Sequence, residues 1–249
     1  MFLNFKTVRN IRDLGGISNK EGKFIKNKLL LRGGDLASIS QDEFNILLNE
    51  YNLKTVIDFR SKNSYFTKKD AYNENINYYH YFVLDFLDNY LYKIDMELSF
   101  DEFFYTVYRG FAKEEKAINA YKGFFKNILD TSNGATYFHC TSGKDRTGIA
   151  AILLLKVLDV DEDLIYKETL KTNEYTQKEF NIFLKNHKNL SMKEYEFYKH
   201  FYILEKEYID IYFDEINKNY GSIDNFIVNI LGINKEIKTI LKNRYLTNY

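Results

Sequence analysis

The chain has 249 residues, and 45% of them are hydrophobic, an ordinary share for a globular protein with a sizeable core. Lysine plus arginine number 35 and aspartate plus glutamate number 35, so the formal net charge is zero and gives no global attraction to nucleic acid or to an anionic membrane. The single cysteine excludes an internal disulfide, and no signal-peptide pattern or membrane-length apolar run is present, so we expect a soluble cytoplasmic protein.

The first half of the chain alternates predicted helices and strands. Ser40 and Glu43 have the spacing of a capping box, and the apolar residues that follow, as far as Tyr51, fall on one helical face. Residues 54–60 (KTVIDFR) form a β-branched run typical of a buried strand, and residues 76–84 (INYYHYFVL) predict a second strand.

The second half is predicted to be mainly helical. Residues 99–129 predict a helical region, and residues 135–139 (ATYFH) predict a strand. From residue 146 onward nearly all apolar residues have helical period, and Ser191 caps a long predicted helix that Gly221 ends.

Strands that alternate with helices indicate an α/β fold, with a mostly parallel central sheet flanked by helices and a helical C-terminal extension. We find no linker or repeat, and we therefore predict one domain over residues 1–249. The all-helical part, residues 160–249, is predicted to be a lid or a subdomain.

The only cysteine lies in the segment YFHCTSGKDRTGIAA, between a predicted strand and a predicted helix. A helix N-terminus with a glycine-bearing loop offers free N–H groups for an anion, and the same field lowers the pKa of a thiol. Five residues separate Cys140 from Arg146, whose planar guanidinium matches two phosphate oxygens. This pattern predicts in-line attack of a Cys140 thiolate on phosphorus, and the Thr147 hydroxyl is placed to stabilise the thiolate when it leaves.

The alternative is that Cys140 is a small buried hydrophobic residue, which is the commoner role of a lone cysteine. A bare cysteine–arginine spacing also arises by chance. Here the spacing comes with His139, Gly143, Gly148, a preceding strand and a following apolar helix, and this context favours the nucleophile.

The segment HCTSGKDRTG resembles the signature loop of the protein tyrosine phosphatase superfamily, and its GKDRTG part is similar to a bacterial branch of tyrosine and dual-specificity phosphatases, some of which also act on phosphoinositides. Other segments fit that branch in the same order along residues 10–150. They are NIRDLGG (10–16), LLLRGGDL (29–36) and VIDFRS (56–61).

The resemblance implies a cysteine-phosphatase fold and a role for each residue of the loop. Cys140 would be the nucleophile and form a phosphocysteine, Arg146 would clamp the phosphate, and Thr147 would assist breakdown of the intermediate. His139 would orient the loop. The backbone N–H groups from Thr141, Ser142, Gly143 and Lys144 as far as Arg146 would cradle the phosphate. No metal and no cofactor are implied, and the four histidines show no ligand spacing.

The general acid is less clear, because tyrosine phosphatases commonly carry it on a Trp-Pro-Asp loop and this chain has neither tryptophan nor proline. Asp145, inside the loop, is the favoured candidate, and a structural partner of Arg146 or of the helix is its alternative role. Asp85, after the second predicted strand, is the alternative acid, with Asp88 as its neighbour.

The outer binding residues are predicted from position. Lys144 either holds a second phosphate or shapes the field of the transition state, unless it is a solvated loop lysine. Asp58 and Arg60 end a predicted strand and are expected at the rim of the site. Arg12 and Arg32 neighbour glycine doublets, and we weigh equally that these charged residues form ion pairs that hold the N-terminal loops.

These observations predict a phosphatase that acts on phosphotyrosine, and by extension on phosphoserine and phosphothreonine. The expected partner is a phosphorylated protein, or a phosphoinositide if the enzyme is a lipid phosphatase with the same mechanism. A rhodanese-like sulfur carrier is a rival, but sulfur transfer needs no phosphate clamp. A catalytically weak phospho-binding module is another, against which the intact Cys140, Arg146 and Thr147 argue.

Overall fold

The computed structural model of the protein describes residues 1–83, 100–131 and 133–247. Its strands are β1 (Arg12–Asp13), β2 (Phe24–Ile25), β3 (Leu30–Gly33), β4 (Leu53–Asp58), β5 (Asn77–His80), β6 (Ala135–His139) and β7 (Leu246–Thr247). Its helices are α1 (Gln41–Asn49), α2 (Lys62–Thr67), α3 (Phe100–Lys113), α4 (Glu115–Asp130), α5 (Asp145–Val157), α6 (Glu162–Leu170), α7 (Asn173–Asn186), α8 (Met192–Tyr202), α9 (Lys206–Tyr220), α10 (Ile223–Asn225) and α11 (Lys235–Tyr245), with a π-helical turn at Phe226–Ile230.

The central sheet has five strands in the order β1-β3-β6-β4-β5. The pairs β3–β6, β6–β4 and β4–β5 are parallel, and only the edge strand β1 is antiparallel to its neighbour. All five residues of β6 are buried, as the apolar run ATYFH predicts for a central strand. The predicted α/β fold with a mostly parallel sheet is therefore confirmed.

Helices cover both faces of the sheet, and alternate strand residues contact opposite faces. Val56 and Tyr137 pack in the core beneath α1, whose first turn is capped by Ser40 as predicted. Ile57 and Phe138, the next residues along the two strands, pack in the larger core with α3, α4 and α5. This arrangement buries α5, the helix that follows the cysteine, against the centre of the sheet.

Both predicted strands of the first half are shorter than the sequence suggested. β4 ends at Asp58, although the Phe59 N–H still donates to His139 O of β6 at 2.8 Å. The guanidinium of Arg60 folds back onto the Asp58 carboxylate. β5 ends at His80. The predicted second strand continued to residue 84, which lies outside the described residues.

Two predicted helical regions are each divided in two. The region over residues 99–129 breaks at Glu114, where ψ is 127°, and the helix expected from Ser191 to Gly221 breaks after Tyr202, with ψ of 133° at Ile203. Neither break contains glycine or proline, so tertiary packing ends these helices. The predicted cap at Ser191 is present as a complete capping box.

The C-terminal helices pack on the half of the chain that forms the central sheet. α9 lies along α3, and Tyr208 and Tyr212 belong to the same buried core as Phe138 of the central strand. β7, near the end of the chain, pairs with β2 near its start. These contacts support the prediction of a single domain, which stays a prediction. No helix among the described residues has the length and apolar character that crossing a bilayer requires.

Candidate active site

The cysteine loop, residues 140–146, connects the end of β6 to the first turn of α5. β6 is the middle strand of the sheet, so the loop emerges at the carboxyl edge, where ligands bind in parallel α/β folds. Cys140 directly follows the strand and is 1% exposed. The sequence predicted this strand–loop–helix placement, and the structure has it.

The carbonyl oxygens of the cysteine loop are hydrogen-bonded by groups around it. The donors are His139 Nδ1 to Cys140 O (3.2 Å), Asp35 N–H to Thr141 O (3.4 Å), Asn10 Nδ2 to Ser142 O (3.2 Å) and Gly143 O (3.1 Å), Arg32 Nη2 to Gly143 O (3.1 Å), Gly148 N–H to Lys144 O (2.9 Å) and the Tyr121 hydroxyl to Arg146 O (3.2 Å). The loop therefore has its acceptors occupied on the protein side.

The backbone N–H groups of the same loop, in contrast to its carbonyl groups, lack hydrogen-bond partners among the described residues. Among the described residues, none of the N–H groups of residues 141–146 donates a hydrogen bond to the rest of the chain. These unsatisfied donors stand at the N-terminus of α5, where the helix dipole is positive. Occupied acceptors and free donors make the loop a site for an oxyanion such as phosphate.

Gly143 has a backbone conformation and a location that only glycine fits. Its φ is +69°, in the left-handed region. A Cβ on Gly143 would lie 2.3 Å from the carbonyl carbon and 2.4 Å from the oxygen of Gly33, and neither backbone atom can rotate away. The glycine therefore lets the cysteine loop lie directly against the end of β3.

The environment of Cys140 favours the thiolate. Burial of the sulfur acts to raise the pKa of Cys140, but the positive charge of Arg146 and the neighbouring hydroxyl and backbone N–H of Thr147 outweigh it, and the thiol pKa is lowered. The Thr147 side chain is fully buried next to the sulfur. The structure thus brings Arg146 and Thr147 close to the sulfur of Cys140, and the roles assigned to them from the sequence stay predictions.

Arg146 is held near the loop by two long hydrogen bonds. Its Nη1 lies 3.4 Å from Phe59 O, and its Nη2 lies 3.4 Å from Thr141 Oγ1. No carboxylate within the described part of the chain forms an ion pair with Arg146, so its charge is available to an anion in the loop. In particular Asp145 does not pair with it, which removes one of the two structural roles considered for Asp145.

A buried charge network lies behind Cys140. His139 is fully buried, with Nε2 3.1 Å from Asp70 Oδ2 and Nδ1 3.8 Å from Asp58 Oδ1. Burial alone lowers the pKa of His139, but the Asp70 and Asp58 carboxylates overcome this and raise it to about 9. His139 is thus an imidazolium at neutral pH, and its Nδ1 donates to the Cys140 carbonyl.

Asp58 and Arg60 belong to this network and do not reach the rim of the site. Each is 1% exposed, and the Arg60 guanidinium bonds both Asp58 and Asp70. Burial acts to raise the pKa of Asp58, but His139, His80 and Arg60 lower it well below its usual range. The geometry favours the alternative reading of an ion pair that holds the loops. Asp58, Asp70 and His139 bring donor atoms within 4.8 Å of one another, but Arg60 and the His139 imidazolium together already balance the charge of the two carboxylates.

Asn10, Arg12 and Arg32, from the two glycine-rich segments, form a second buried network on the other side of the loop. Arg12 Nε and Arg32 Nη1 share Glu168 Oε1, at 2.8 and 3.2 Å. Both arginines are fully buried, and burial together with the neighbouring Arg12 charge lowers the pKa of Arg32 to about 9. The Asn10 side chain bonds Arg12 and two loop carbonyls, so the segments NIRDLGG and LLLRGGDL support the loop rather than the ligand.

Lys144 is not a solvated lysine, and its ammonium is bonded to backbone carbonyls. Only 2% of the residue is exposed, and its ammonium donates to the carbonyls of His200 (3.3 Å) and Phe201 (2.6 Å) in the last turn of α8. Burial is the main reason that the pKa of Lys144 is lowered. The solvated alternative is therefore wrong, and the contacts show Lys144 joining the cysteine loop to the C-terminal helices.

Asp145 opens α5 and borders the cavity described below. Its Oδ1 accepts a 2.6 Å hydrogen bond from the Tyr108 hydroxyl on α3 and lies 3.6 Å from Lys144 Nζ. Its side chain is 27% exposed. The alternative acid Asp85 and its neighbour Asp88 lie outside the described residues.

A cavity of about 340 Å³ opens above the loop. Thr141, Ser142, Lys144, Asp145 and Arg146 line it on the loop side. One part of its wall is apolar and mostly aromatic, from α3 and the end of α8, and includes Phe103, Phe104, Val107, Phe111, Phe201 and Tyr202. The rest is polar, with Arg9, Ser64, Thr176 and Glu179. The helical C-terminal region thus supplies one wall of the site.

Sequence reasoning missed several residues of the site because they are distant in sequence. Asp70 lies in a loop between α2 and β5, Glu168 lies on α6, and Tyr108 lies on α3, and none of them carries a local motif. The one available signal was the number of arginine and histidine residues in the motif segments. If these residues are buried, each needs a carboxylate partner from elsewhere in the chain.

The fold and this loop define a class of proteins that bind a phosphate-like anion beside a cysteine thiolate. Residues 3–247 match the tyrosine phosphatase family, and the chain belongs to that family. It is accordingly a hydrolase of the phosphatase kind.

Individual relatives are similar over different lengths. A protein of Cupriavidus necator, named as a candidate tyrosine-protein phosphatase, is 28% identical over 243 residues, covering 93% of this chain and 84% of the relative. A tyrosine-protein phosphatase of Nostoc commune is 52% identical over 40 residues, which are 16% of this chain and 14% of that protein. Among solved structures, the core catalytic domain of the PP-IP phosphatase SIW14 from S. cerevisiae has a TM-score of 0.39 and 13% identity, over 68% of this chain and 78% of that one.

Gly143→Ala should distort the loop, and Gly22→Ala is its matched control. Gly22 has a similar φ of +74°, but a Cβ there meets nothing within 4 Å. We expect Gly22→Ala to lower the free energy of unfolding by about 1–2 kcal/mol through the backbone strain alone, without loss of phosphatase activity. Gly143→Ala should be less stable still and lose activity roughly 100-fold, because the Gly33 backbone blocks the added methyl group. Urea unfolding and hydrolysis of p-nitrophenyl phosphate measure both, and equal activity in the two variants would refute the close approach.

The stability of the protein should fall as the pH rises from about 6.5 to about 9, because folded His139 keeps its proton while the unfolded chain releases it. The His139 contribution is fully present below pH 6.5 and is lost above the folded pKa. A lowered thiol pKa acts in the opposite direction, so the free energy of unfolding should be measured in a Cys140→Ser background. Adding His139→Asn should remove the fall, and an unchanged pH dependence in that double variant would contradict the assignment.

Proposed function

We propose that this protein hydrolyses phosphotyrosine monoesters through a phosphocysteine intermediate. The observation that carries the proposal is the cysteine loop, in which a buried thiol of lowered pKa lies beside Arg146 and among N–H groups. Within the described part of the chain these N–H groups have no acceptor and Arg146 has no carboxylate partner. Membership of the tyrosine phosphatase family supports it. We include two further points in the same proposal. The enzyme has the dual specificity of the bacterial branch that GKDRTG resembles, and it is located in the cytoplasm.

In the first chemical step the Cys140 thiolate attacks phosphorus, forming a sulfur–phosphorus bond as the bond to the leaving oxygen breaks. The N–H groups of Thr141, Ser142, Gly143, Lys144 and Arg146 hold the nonbridging oxygens. The Arg146 guanidinium takes two of these oxygens, and its interaction strengthens as they spread in the transition state. Asp145 transfers its proton to the leaving oxygen.

In the second step a water molecule attacks the phosphocysteine, and the carboxylate of Asp145 accepts its proton. The bond between sulfur and phosphorus breaks, and inorganic phosphate leaves. The departing group is the Cys140 thiolate, which the hydroxyl and N–H of Thr147 stabilise by hydrogen bonding. His139 keeps the loop in place through the Cys140 carbonyl.

The cavity walls favour an aryl phosphate over a small alkyl phosphate. A phenyl ring seated on the loop would contact the aromatic side chains of α3 and α8, including Phe104 and Phe201, and bury apolar area. The phosphoinositide alternative relied on Lys144 and nearby cations for a second phosphate. The Lys144 ammonium is bonded to the carbonyls of α8, and Arg9, the cavity-lining cation from outside the loop, forms an ion pair with Glu179. Phosphotyrosine is therefore the substrate class that we propose.

Cys140→Ser should abolish hydrolysis of a phosphotyrosyl peptide and leave the protein folded, because only the nucleophile is lost. The variant should still be stabilised by inorganic phosphate in a thermal melt, since the N–H groups and Arg146 remain. If the purified variant hydrolyses the peptide as fast as the wild type, the mechanism is refuted. Phosphoserine peptides and phosphoinositides run in parallel test the substrate class, and a lipid preference would overturn the phosphotyrosine assignment alone.

Arg146→Lys should lower kcat/KM by roughly 100-fold, about 3 kcal/mol, because an ammonium cannot bind two oxygens in one plane. Arg109→Lys is the matched control, since Arg109 is a part-exposed residue of α3 that pairs with Glu102 away from the loop. We expect the control to equal the wild type. An Arg146→Lys enzyme within about threefold of that control would exclude the clamp.

A further inference from the structure

The hydrogen bond between Tyr108 and Asp145 has an arrangement that the proposed chemistry can use. The Tyr108 hydroxyl lies 2.6 Å from Asp145 Oδ1, and the nearest contact of Lys144 Nζ with this carboxylate, at 3.6 Å, is with the same oxygen. Within the described part of the chain, no group donates a hydrogen bond to Asp145 Oδ2. The two oxygens of one carboxyl group are thus in different environments, and Asp145 lines the cavity.

Tyr108 is built to act as a donor only. It is 2% exposed, and its ring packs at 5.3 Å from the ring of Phe111 and at 5.2 Å from that of Tyr208. Burial, followed by the charge of Asp145, raises the pKa of Tyr108 well above its usual range. The phenol therefore keeps its proton at all relevant pH values, and the oxygen facing it must be an acceptor.

We propose that Tyr108 is a positioning residue for the general acid: its hydroxyl occupies Oδ1 of Asp145, so that the transferable proton resides on Oδ2. This inference rests on the proposed function. In the first step the Oδ2–H bond breaks and the proton passes to the leaving oxygen, while the Tyr108 O–H bond stays intact. In the second step Oδ2 takes a proton from the attacking water, and the original state returns.

This assignment predicts that loss of the Tyr108 hydroxyl lowers kcat/KM most for substrates whose leaving group needs protonation. Phenolate is a poor leaving group, whereas p-nitrophenolate leaves without much protonation. Both substrates present an aryl ring to the same cavity, so their comparison isolates the proton transfer. The ratio kcat/KM reports the first chemical step for each, because that step releases the aryl group.

The experiment compares the wild type with Tyr108→Phe, Asp145→Asn and the double variant. Tyr108→Phe should lower kcat/KM for phenyl phosphate roughly tenfold and for p-nitrophenyl phosphate by at most about threefold. Asp145→Asn should lower the value for phenyl phosphate roughly 100-fold or more. The double variant should be no slower than Asp145→Asn, since Tyr108 acts only through Asp145.

Tyr212→Phe is the matched control. Tyr212 lies on α9, is fully buried in the same core, and its hydroxyl has no hydrogen-bond partner among the described residues. Removal of the Tyr212 hydroxyl should leave kcat/KM unchanged for both substrates. A thermal melt of the two Tyr→Phe variants shows whether Tyr108→Phe alters the fold beyond the control.

Three results would overturn the inference. Equal losses on the two substrates in Tyr108→Phe would show a structural role, and additive losses in the double variant would show that Tyr108 acts independently. Asp145→Asn without leaving-group dependence would place the acid elsewhere, with Asp85 as the next candidate. If Cys140→Ser remains active, the proposed function itself fails, and the inference falls with it. Cys140-dependent activity with any of the three results overturns the inference alone.

Discussion

The site depends on one constraint: the carbonyl groups of the cysteine loop are hydrogen-bonded by groups around it, while the N–H groups of residues 141–146 find no acceptor among the described residues. A peptide loop can present its donors to an anion only if its acceptors are satisfied elsewhere. Asn10 and Arg32 do this on one side and His139 on the other. These buried hydrogen bonds fix the conformation of the loop, with its N–H groups available, before an anion binds.

The rest of the structure can be understood from this constraint. The cations that bind the carbonyls are buried, and each requires a carboxylate, which Glu168 supplies to Arg32 and Asp70 supplies to His139. The central position of β6 brings both networks to the loop, because its neighbours β3 and β4 end at the same edge of the sheet. Gly143 allows the loop to approach β3 closely enough for these bonds.

The C-terminal helices are part of the same construction. Lys144 joins the loop to the last carbonyls of α8, and that helix places Phe201 and Tyr202 in the cavity wall. α9 packs against α3, which carries Phe104 and Tyr108. The helical extension therefore shapes the cavity above the cysteine loop.

The local features of the fold could be predicted from the sequence, and the distant partnerships could not. Cys140, Arg146 and Thr147 lie within one loop–helix segment. Their positions in the sequence therefore determine that they are close together in the structure. The capping box at Ser191 is also local. Arg60 was expected at the rim because strand ends lie there, but its attraction to Asp58 and Asp70 draws it inward.

Lys144 shows the same limit, since the sequence offers no sign that the end of α8 would receive its ammonium. The division between α8 and α9 has no glycine or proline to announce it either. Tyr108 was missed for a related reason, because nothing in a run of aromatic residues distinguishes the one hydroxyl that meets a carboxylate. Such features depend on tertiary packing, which a single sequence does not contain.

The central claim is that the phosphoryl group passes through the sulfur of Cys140. Rapid quenching of the wild-type enzyme during turnover of a phosphotyrosyl substrate, followed by digestion and mass spectrometry, tests this directly. The account predicts one phosphoryl group on the peptide that contains Cys140, and none on that peptide in Cys140→Ser. Rapid turnover with no phosphorylated peptide, or a phosphoryl group on another residue, would contradict it.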